Sequence, residues 1–435
     1  MSVRLTVVGI GADGWDGLGG AGRAAVAAAT LLVGSARQLE LVPESATATA
    51  AGARRLAWPS PLEPLLDALA AGRHGDAVVL ASGDPMLHGI GASLARRVAD
   101  DAKQGAGAAD GGAELAVIPH PSAFALACAR MLWAEQETEL VSTVARAPEQ
   151  VARALQTGRR LIVYATGSDG AATIARVLRT RGFGTSRFVV LEQLGGADEA
   201  RHETTAAGWG DRAADPLHAI AIEVRADQGG EGLSLTPGLP DDAFDHDGQI
   251  TKRHVRAVTL AALAPRPGEL LFDLGAGSGS IAIEWLRALA AIPAATPGKA
   301  VAFEANEARA RRIAENAARL GAPQLTVIRG RLPAVLGDAL IDPGKPDAVF
   351  VGGGLTAAGV LDAAWHVLKP GGRIVANAVT LESQARLLTA REQHGGTLTQ
   401  IAIAHAAPVG GFSGWRAQMP VVQWEARKPQ ERPLA

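Results

Sequence analysis

The chain has 435 residues, 48% hydrophobic and 20% charged, with 42 basic against 44 acidic side chains and a formal net charge of −2. That length predicts two or three globular domains, the apolar content excludes a disordered chain, and the near-cancelling charge excludes a nucleic-acid binder working by bulk attraction. A single cysteine, Cys128, excludes an intramolecular disulfide framework and any multi-cysteine metal site, and fits a reducing cytoplasm.

From the N-terminus, Met1 to Ile10 carries only Arg4 before a short apolar run and reads as a first strand, not a signal peptide. No uninterrupted apolar run approaches the roughly 18 residues of a membrane span. Short Val/Leu/Ile runs at Leu5 to Ile10, Ala77 to Ala81, Leu115 to Ile118, Leu161 to Ala165, Arg187 to Leu191 and Ala219 to Val224 alternate with Ala/Arg/Leu helical stretches. That alternation predicts an α/β fold. Gly105 to Gly112 divides this part into two lobes, and the Ala/Thr tract from Ala46 to Ala53 reads as a loop. Ala226 to Pro240 lacks a periodic apolar face and is rich in glycine and proline. It sets the expected limits: a domain over 1–225, a linker over 226–238 and a second domain over 239–435.

Downstream the pattern predicts helix Lys252 to Leu263, strand Glu269 to Leu274, helix Ser280 to Ala291, strand Ala300 to Glu304 and helix Glu307 to Leu320. Strands Leu325 to Arg329 and Ala348 to Val351, helix Thr356 to Leu368, strand Arg373 to Asn377 and helix Leu381 to Gln393 follow. Two late strands, Leu398 to Ala404 and Ala417 to Trp424, have no helix between them and are expected to pair antiparallel. The expectation is a mostly parallel, Rossmann-like sheet with an antiparallel edge strand.

The strongest motif is Phe272-Asp273-Leu274-Gly275-Ala276-Gly277-Ser278-Gly279-Ser280, closing a strand and opening a helix. Glycines at 275, 277 and 279 allow a tight turn and close approach of a ligand to the helix N-terminus. Glu304, ending the next strand, can accept both ribose hydroxyls of a nucleoside ligand, or act only as a helix-start charge. The third glycine falls one residue earlier than in the dinucleotide fingerprint, which favours S-adenosylmethionine over NAD. With Leu368-Lys369-Pro370-Gly371-Gly372-Arg373-Ile374, this half resembles the class I S-adenosylmethionine-dependent methyltransferases over its whole length.

Upstream, Val7-Val8-Gly9-Ile10-Gly11-Ala12-Asp13-Gly14, Ala81-Ser82-Gly83-Asp84-Pro85-Met86-Leu87-His88-Gly89 and Ile118-Pro119-His120-Pro121-Ser122-Ala123-Phe124 together resemble the tetrapyrrole methylase family over roughly residues 3 to 225. The chain departs from that family's pattern at Ala12-Asp13-Gly14 and at His88. The resemblance implies that Asp84, Leu87, Ser122 and Ala123 line a methyl-donor cleft between two lobes, with Gly9 to Asp13 near the tetrapyrrole. The junction from Gly238 to Arg253 looks like that of the decarboxylating precorrin-6Y C5,15-methyltransferase family of the cobalamin pathway. This implies methylation at C5 by the first domain, and methylation at C15 with loss of the C12 acetate carboxyl by the second, converting precorrin-6B to precorrin-8X. It also implies a homo-oligomer.

Thr251 is a good helix N-cap, and the resemblance adds a donor-binding role; Leu332 would contact adenine by position. His246 and Asp247 are candidate acid/base groups that could equally be solvated. Asn377 and the Val351-Gly352-Gly353-Gly354 strand tip face the sheet edge where ligands bind, so either is a candidate substrate contact. Arg253, Arg256 and Arg331 are candidates for substrate carboxylates, or for surface solubility alone. No His/Asp/Glu cluster has metal-ligand spacing. A methyltransferase of another small molecule and a noncatalytic tetrapyrrole carrier stay open.

Overall fold

The computed structural model describes residues 3–47, 53–103, 113–228, 232–290, 292, 296–339 and 344–430. Gly105 to Gly112 lies outside the described residues, as do 48–52 of the Ala/Thr tract and 229–231 of the linker. The chain forms two compact units, one of Met1–Pro148 with Thr157–Gly230, the other of Glu149–Gln156 with Glu231–Ala435. Val151 and Ala154 in the short second-unit piece are completely buried, so it is core and not linker.

The first unit holds two five-stranded sheets. One runs Arg54–Ala57, Leu31–Gly34, Ala77–Ser82, Arg4–Ile10, Glu114–Ile118, with every pair parallel. Its central strands are apolar nearly throughout, as a sheet covered on both faces requires. The other runs Thr138–Ser142, Arg160–Tyr164, His218–Glu223, Arg187–Glu192, Ala200–Thr205, and only its first pair is parallel. All six expected strands are present. Four more were not foreseen: Leu31–Gly34 is only four residues long, and Arg54–Ala57, Thr138–Ser142 and Ala200–Thr205 are sheet-edge segments with several polar side chains.

The second unit is a seven-stranded sheet in the order Thr326–Arg329, Lys299–Glu304, Leu270–Leu274, Ala348–Val351, Arg373–Ala378, Val421–Arg427, Thr397–Ile401. The first five strands are parallel, and Val421–Arg427 runs against both its neighbours. The antiparallel strand therefore stands one place in from the edge, inserted between Arg373–Ala378 and the late strand with which it pairs. Helices Ser280–Ala290 and Arg253–Leu263 cover one face with a core that includes Trp285, Leu260 and Leu263. Helices Val360–Val367 and Leu381–His394 close the other over Phe272, Ile374 and Trp424.

Three elements of the second unit have a boundary three or more residues from expectation. Helix Val360–Val367 starts four residues late because Gly359, at φ 76°, precedes it in a left-handed turn. The first late strand stops at Ile401, and the chain then makes a separate hairpin of Ala404–Val409 with Phe412–Ala417. The last strand begins only after Pro420, which has no N–H to give a ladder.

Candidate active site

The loop Gly275 to Gly279 takes positive φ at each glycine: 71°, 60° and 77°. A Cβ on Gly275 would stand 2.7 Å from the Gly353 Cα, and one on Gly277 would stand 2.9 Å from the Gln249 carbonyl oxygen. Neither position tolerates a side chain, since backbone cannot swing aside. The triple glycine Gly352–Gly354 is thus a packed turn: the N–H groups of Gly352 and Gly353 both donate to the Leu274 carbonyl, at 2.9 and 3.3 Å.

These turns enclose a cavity of about 1160 Å³ at the C-terminal edge of the parallel strands. That exceeds the roughly 300–1,000 Å³ of ordinary small-ligand pockets. Gly275, Ala276, Gly277, Thr251, Glu304, Leu332 and Asn377 line it. Ser278 and Gly279 do not: the Ser278 carbonyl accepts from Asn316 Nδ2 at 3.1 Å, and Gly279 packs on Ile313. Thr251 lines the cavity without capping the helix. Lys252 is the N-cap and offers no side-chain bond, while the Thr251 carbonyl accepts from Arg256 Nη1 at 2.6 Å.

Glu304 is 7% exposed. Its Oε2 accepts from the Gly277 N–H at 3.0 Å and its Oε1 from the Asn306 N–H at 2.9 Å, so the carboxylate is held by amides while facing the cavity. Behind it, Asp273 Oδ2 accepts from the Ala282 N–H at 3.1 Å, and Oδ1 has no hydrogen-bond partner among the described residues. Burial pushes the Asp273 carboxyl up to about 7; the Ala282 amide opposes this and the Glu304 charge adds to it.

Two candidate acid/base groups are not cavity residues. Asp247 is tied to Arg309 at 2.8 Å, and that guanidinium holds its carboxyl below the usual range. His246 Nδ1 accepts from the Gly248 N–H at 3.0 Å. Arg256 is the clearest departure from expectation. It is fully buried, bonding Glu284 at 2.6 Å and Asp241 at 3.1 Å with its guanidinium 4.7 Å from the Phe244 ring, so it clamps the Gly238 to Arg253 junction and cannot reach a substrate carboxylate. Arg253 donates to the Gly238 carbonyl at 2.8 Å. Arg331 alone of the three lines the cavity.

In the first unit a cavity of about 470 Å³ lies between the two sheets. Leu87, Ala123, Gly11 and Ala12 line it. Asp84 and Ser122 shape its walls from behind: Asp84 Oδ1 accepts from the Met86 N–H at 2.7 Å, and Ser122 caps helix Ala123–Met131 through the Ala125 N–H at 3.0 Å. Tyr164 and His218, which the sequence reading missed, also line it. Burial raises the Tyr164 hydroxyl to about 12, keeping it a neutral donor, and lowers His88 across the cavity. Only tertiary pairing brings Tyr164 and His218 here, as it does Gln418 and Val421 in the second unit. No local motif marks them. Among the described residues no group of three or more His, Cys, Asp or Glu could hold a metal ion, and no helix is long and apolar enough to cross a membrane.

Residues 4–208 match the family described as tetrapyrrole (corrin/porphyrin) methylases, and residues 242–428 match the precorrin methyltransferase domain. A Sinorhizobium protein named precorrin-6Y C(5,15)-methyltransferase (decarboxylating) is 44% identical over 98% of this chain and 97% of its own length. A protein of the same name from Mycobacterium tuberculosis (strain CDC 1551 / Oshkosh) is 43% identical over 98% of this chain and all of its own. The crystal structure of the C-terminal domain of precorrin-6Y C5,15-methyltransferase from Rhodobacter capsulatus, 46% identical, covers 45% of this chain and all of that one, with a TM-score of 0.40.

Proposed function

The chain belongs to the family of decarboxylating precorrin-6Y C5,15-methyltransferases, and from that premise we propose that it converts precorrin-6B to precorrin-8X with two molecules of S-adenosylmethionine. The first unit methylates C5; the second methylates C15 and removes the C12 acetate carboxyl. The observation that carries this reading is that the likeness to relatives of that name runs through both units, over 98% of the chain.

The second cavity suits the donor on its own geometry. The glycine cradle has no room for a Cβ, the helix Ser280–Ala290 begins beside it, and Glu304 has lone pairs left for ribose hydroxyls. Gly275, Ala276 and Gly277 would hold the amino-acid end, Glu304 the ribose, and Leu332 the adenine. In the first unit the donor would lie against Leu87 and Ala123, with Asp84 and Ser122 fixing the loops that carry them. When bound, the sulfonium supplies an electrophilic methyl group. The protein's contribution is positioning, because reduced tetrapyrroles carry electron-rich carbons of their own.

We place the domain limits at 1–225 and 239–435, with Glu149–Gln156 packed into the second unit, and the protein in the cytoplasm, with no nucleic-acid partner. It would be a homo-oligomer, which the exposed Phe412 and Trp415 of the hairpin support; light scattering tests that point. The function is tested by incubating the protein with methyl-labelled donor and precorrin-6B and weighing the product. Two added methyls and one lost carboxyl are expected. An unaltered tetrapyrrole would favour a carrier, or a methyltransferase of some other small molecule.

A further inference from the structure

The second unit's cavity has two unlike halves. Over strands Lys299–Glu304 and Thr326–Arg329 it is lined by charge, with Glu304, Arg309 and Arg331. Across the glycine loop, strands Arg373–Ala378 and Val421–Arg427 and the turn before the latter present Asn377, Val379, Gln418, Met419 and Val421, none of them charged. Strands lie about 4.8 Å apart, so Asn377 stands three strands, roughly 14 Å, from Glu304. The junction's own lining cation, Lys252, turns to Asp241 at 3.8 Å.

Within the neutral half one amide is locked. The buried Thr259 hydroxyl donates to the Val255 carbonyl at 2.8 Å, so its oxygen can only accept. Asn377 Nδ2 donates to it at 2.8 Å and Gln423 Nε2 at 3.0 Å, and Gln423 Nε2 also donates to Asn377 Oδ1 at 2.9 Å. Both amide orientations follow from that one hydroxyl. Asn377 keeps a second Nδ2 hydrogen, which no bond within this network uses.

We propose that Asn377, oriented by Thr259 and Gln423, receives the carboxylate that the second unit removes, and that the uncharged strand wall around it, with Lys252 turned to Asp241, promotes the loss. The inference rests on the decarboxylating function argued above. In this step the CH2–CO2⁻ bond breaks, its electron pair passes into a conjugated protonated imine of the macrocycle, and carbon dioxide leaves. A proton from solvent then completes the new methyl group. A cation beside the carboxylate would stabilise the charge that the step must disperse and would raise the barrier. A neutral N–H fixes the direction of the breaking bond without that penalty. Arg331, on the other side of the cavity, is placed to take a carboxylate that stays.

The test is the ratio of C15-methylated product that keeps the acetate to product that has lost it, read by mass from precorrin-6B and methyl-labelled donor. Val379→Lys adds a cation at a site that is 41% exposed, so it does not disturb the core. It should raise the acetate-retaining fraction at least tenfold. Asn377→Leu should do the same. Thr259→Val should follow, whereas Thr259→Ser, which keeps the hydroxyl, should restore the parent ratio; a merely structural role for Thr259 would leave the ratio alone in both. An unchanged ratio in Val379→Lys and Asn377→Leu overturns the inference. If the unaltered chain neither methylates nor decarboxylates, the functional reading beneath it fails instead.

Discussion

Asp273 should make the second unit less stable as pH rises. Its carboxyl is 1% exposed, one oxygen has a single amide partner and the other has none among the described residues, and its pKa is raised to about 7. Unfolded, an aspartate titrates near 4. Between those values the folded chain keeps a proton that the unfolded chain has released, so the contribution to stability is greatest below about pH 4 and declines until the folded group ionises near 7. At about 1.4 kcal/mol per unit, the penalty is on the order of 1–2 kcal/mol at pH 5 and 4 kcal/mol at pH 8. Asp273→Asn keeps an acceptor for the Ala282 N–H and cannot ionise. It should therefore stabilise the protein relative to the parent, by about 2–3 kcal/mol more at pH 8 than at pH 5. Urea unfolding of parent and variant at both pH values measures this. An equal effect at the two pH values would refute the argument that this carboxyl is protonated in the fold.

Gly277→Val sets a branched side chain against the Gln249 carbonyl at a φ of 60°; it should abolish C15 methylation and leave C5 methylation intact, read from the position of the labelled methyl. Glu304→Ala should weaken donor binding to this unit by about 1.5–3 kcal/mol through lost charge-assisted bonds, and calorimetry showing a loss of only a few tenths would return Glu304 to a purely loop-holding role. Arg256→Ala leaves the buried Glu284 without its cation and should cost about 3–5 kcal/mol in unfolding experiments; a change under 1 kcal/mol would mean that water replaces the clamp. EDTA should leave both methylations untouched, and activity lost to EDTA and restored by a metal would contradict this.

Much of this was legible because parallel strands buried on both faces must be apolar runs, and the loop after the first strand of such a sheet needs glycine. The runs ending at Ile10, Leu274 and Val351 carry that signal in their own residues. Arg54–Ala57 and Ala200–Thr205 do not, since an edge strand with arginine, histidine and glutamate shows no period of its own. Thr251 failed as a cap because the Arg256 guanidinium takes its carbonyl and the helix begins two residues later, at Arg253. Arg256 is neither the substrate contact nor the surface charge that the sequence suggests, for a related reason. A lone arginine normally signals solvent, and only the fold brings Glu284, 28 residues along, to its side.

The clamp of Arg256 and Glu284 has a bearing on how such an enzyme can be taken apart. Glu284 accepts the Gly238 and Leu239 amides, Arg256 grips the Leu239 and Thr251 carbonyls, and the Gln249 carbonyl lies against Gly277. The stretch following the linker is therefore bonded into the second unit and not a tether, and its Gly248 to Lys252 end is a wall of the proposed donor cavity. Truncation from the N-terminal side should show a step: fragments that begin before Gly238 retain donor affinity in this unit, whereas those that begin at Gly248 lose it even where the seven-stranded sheet still forms. A gene-splitting or domain-transplant experiment should place its seam upstream of that residue, and donor affinity becomes the gauge of whether the seam was well chosen.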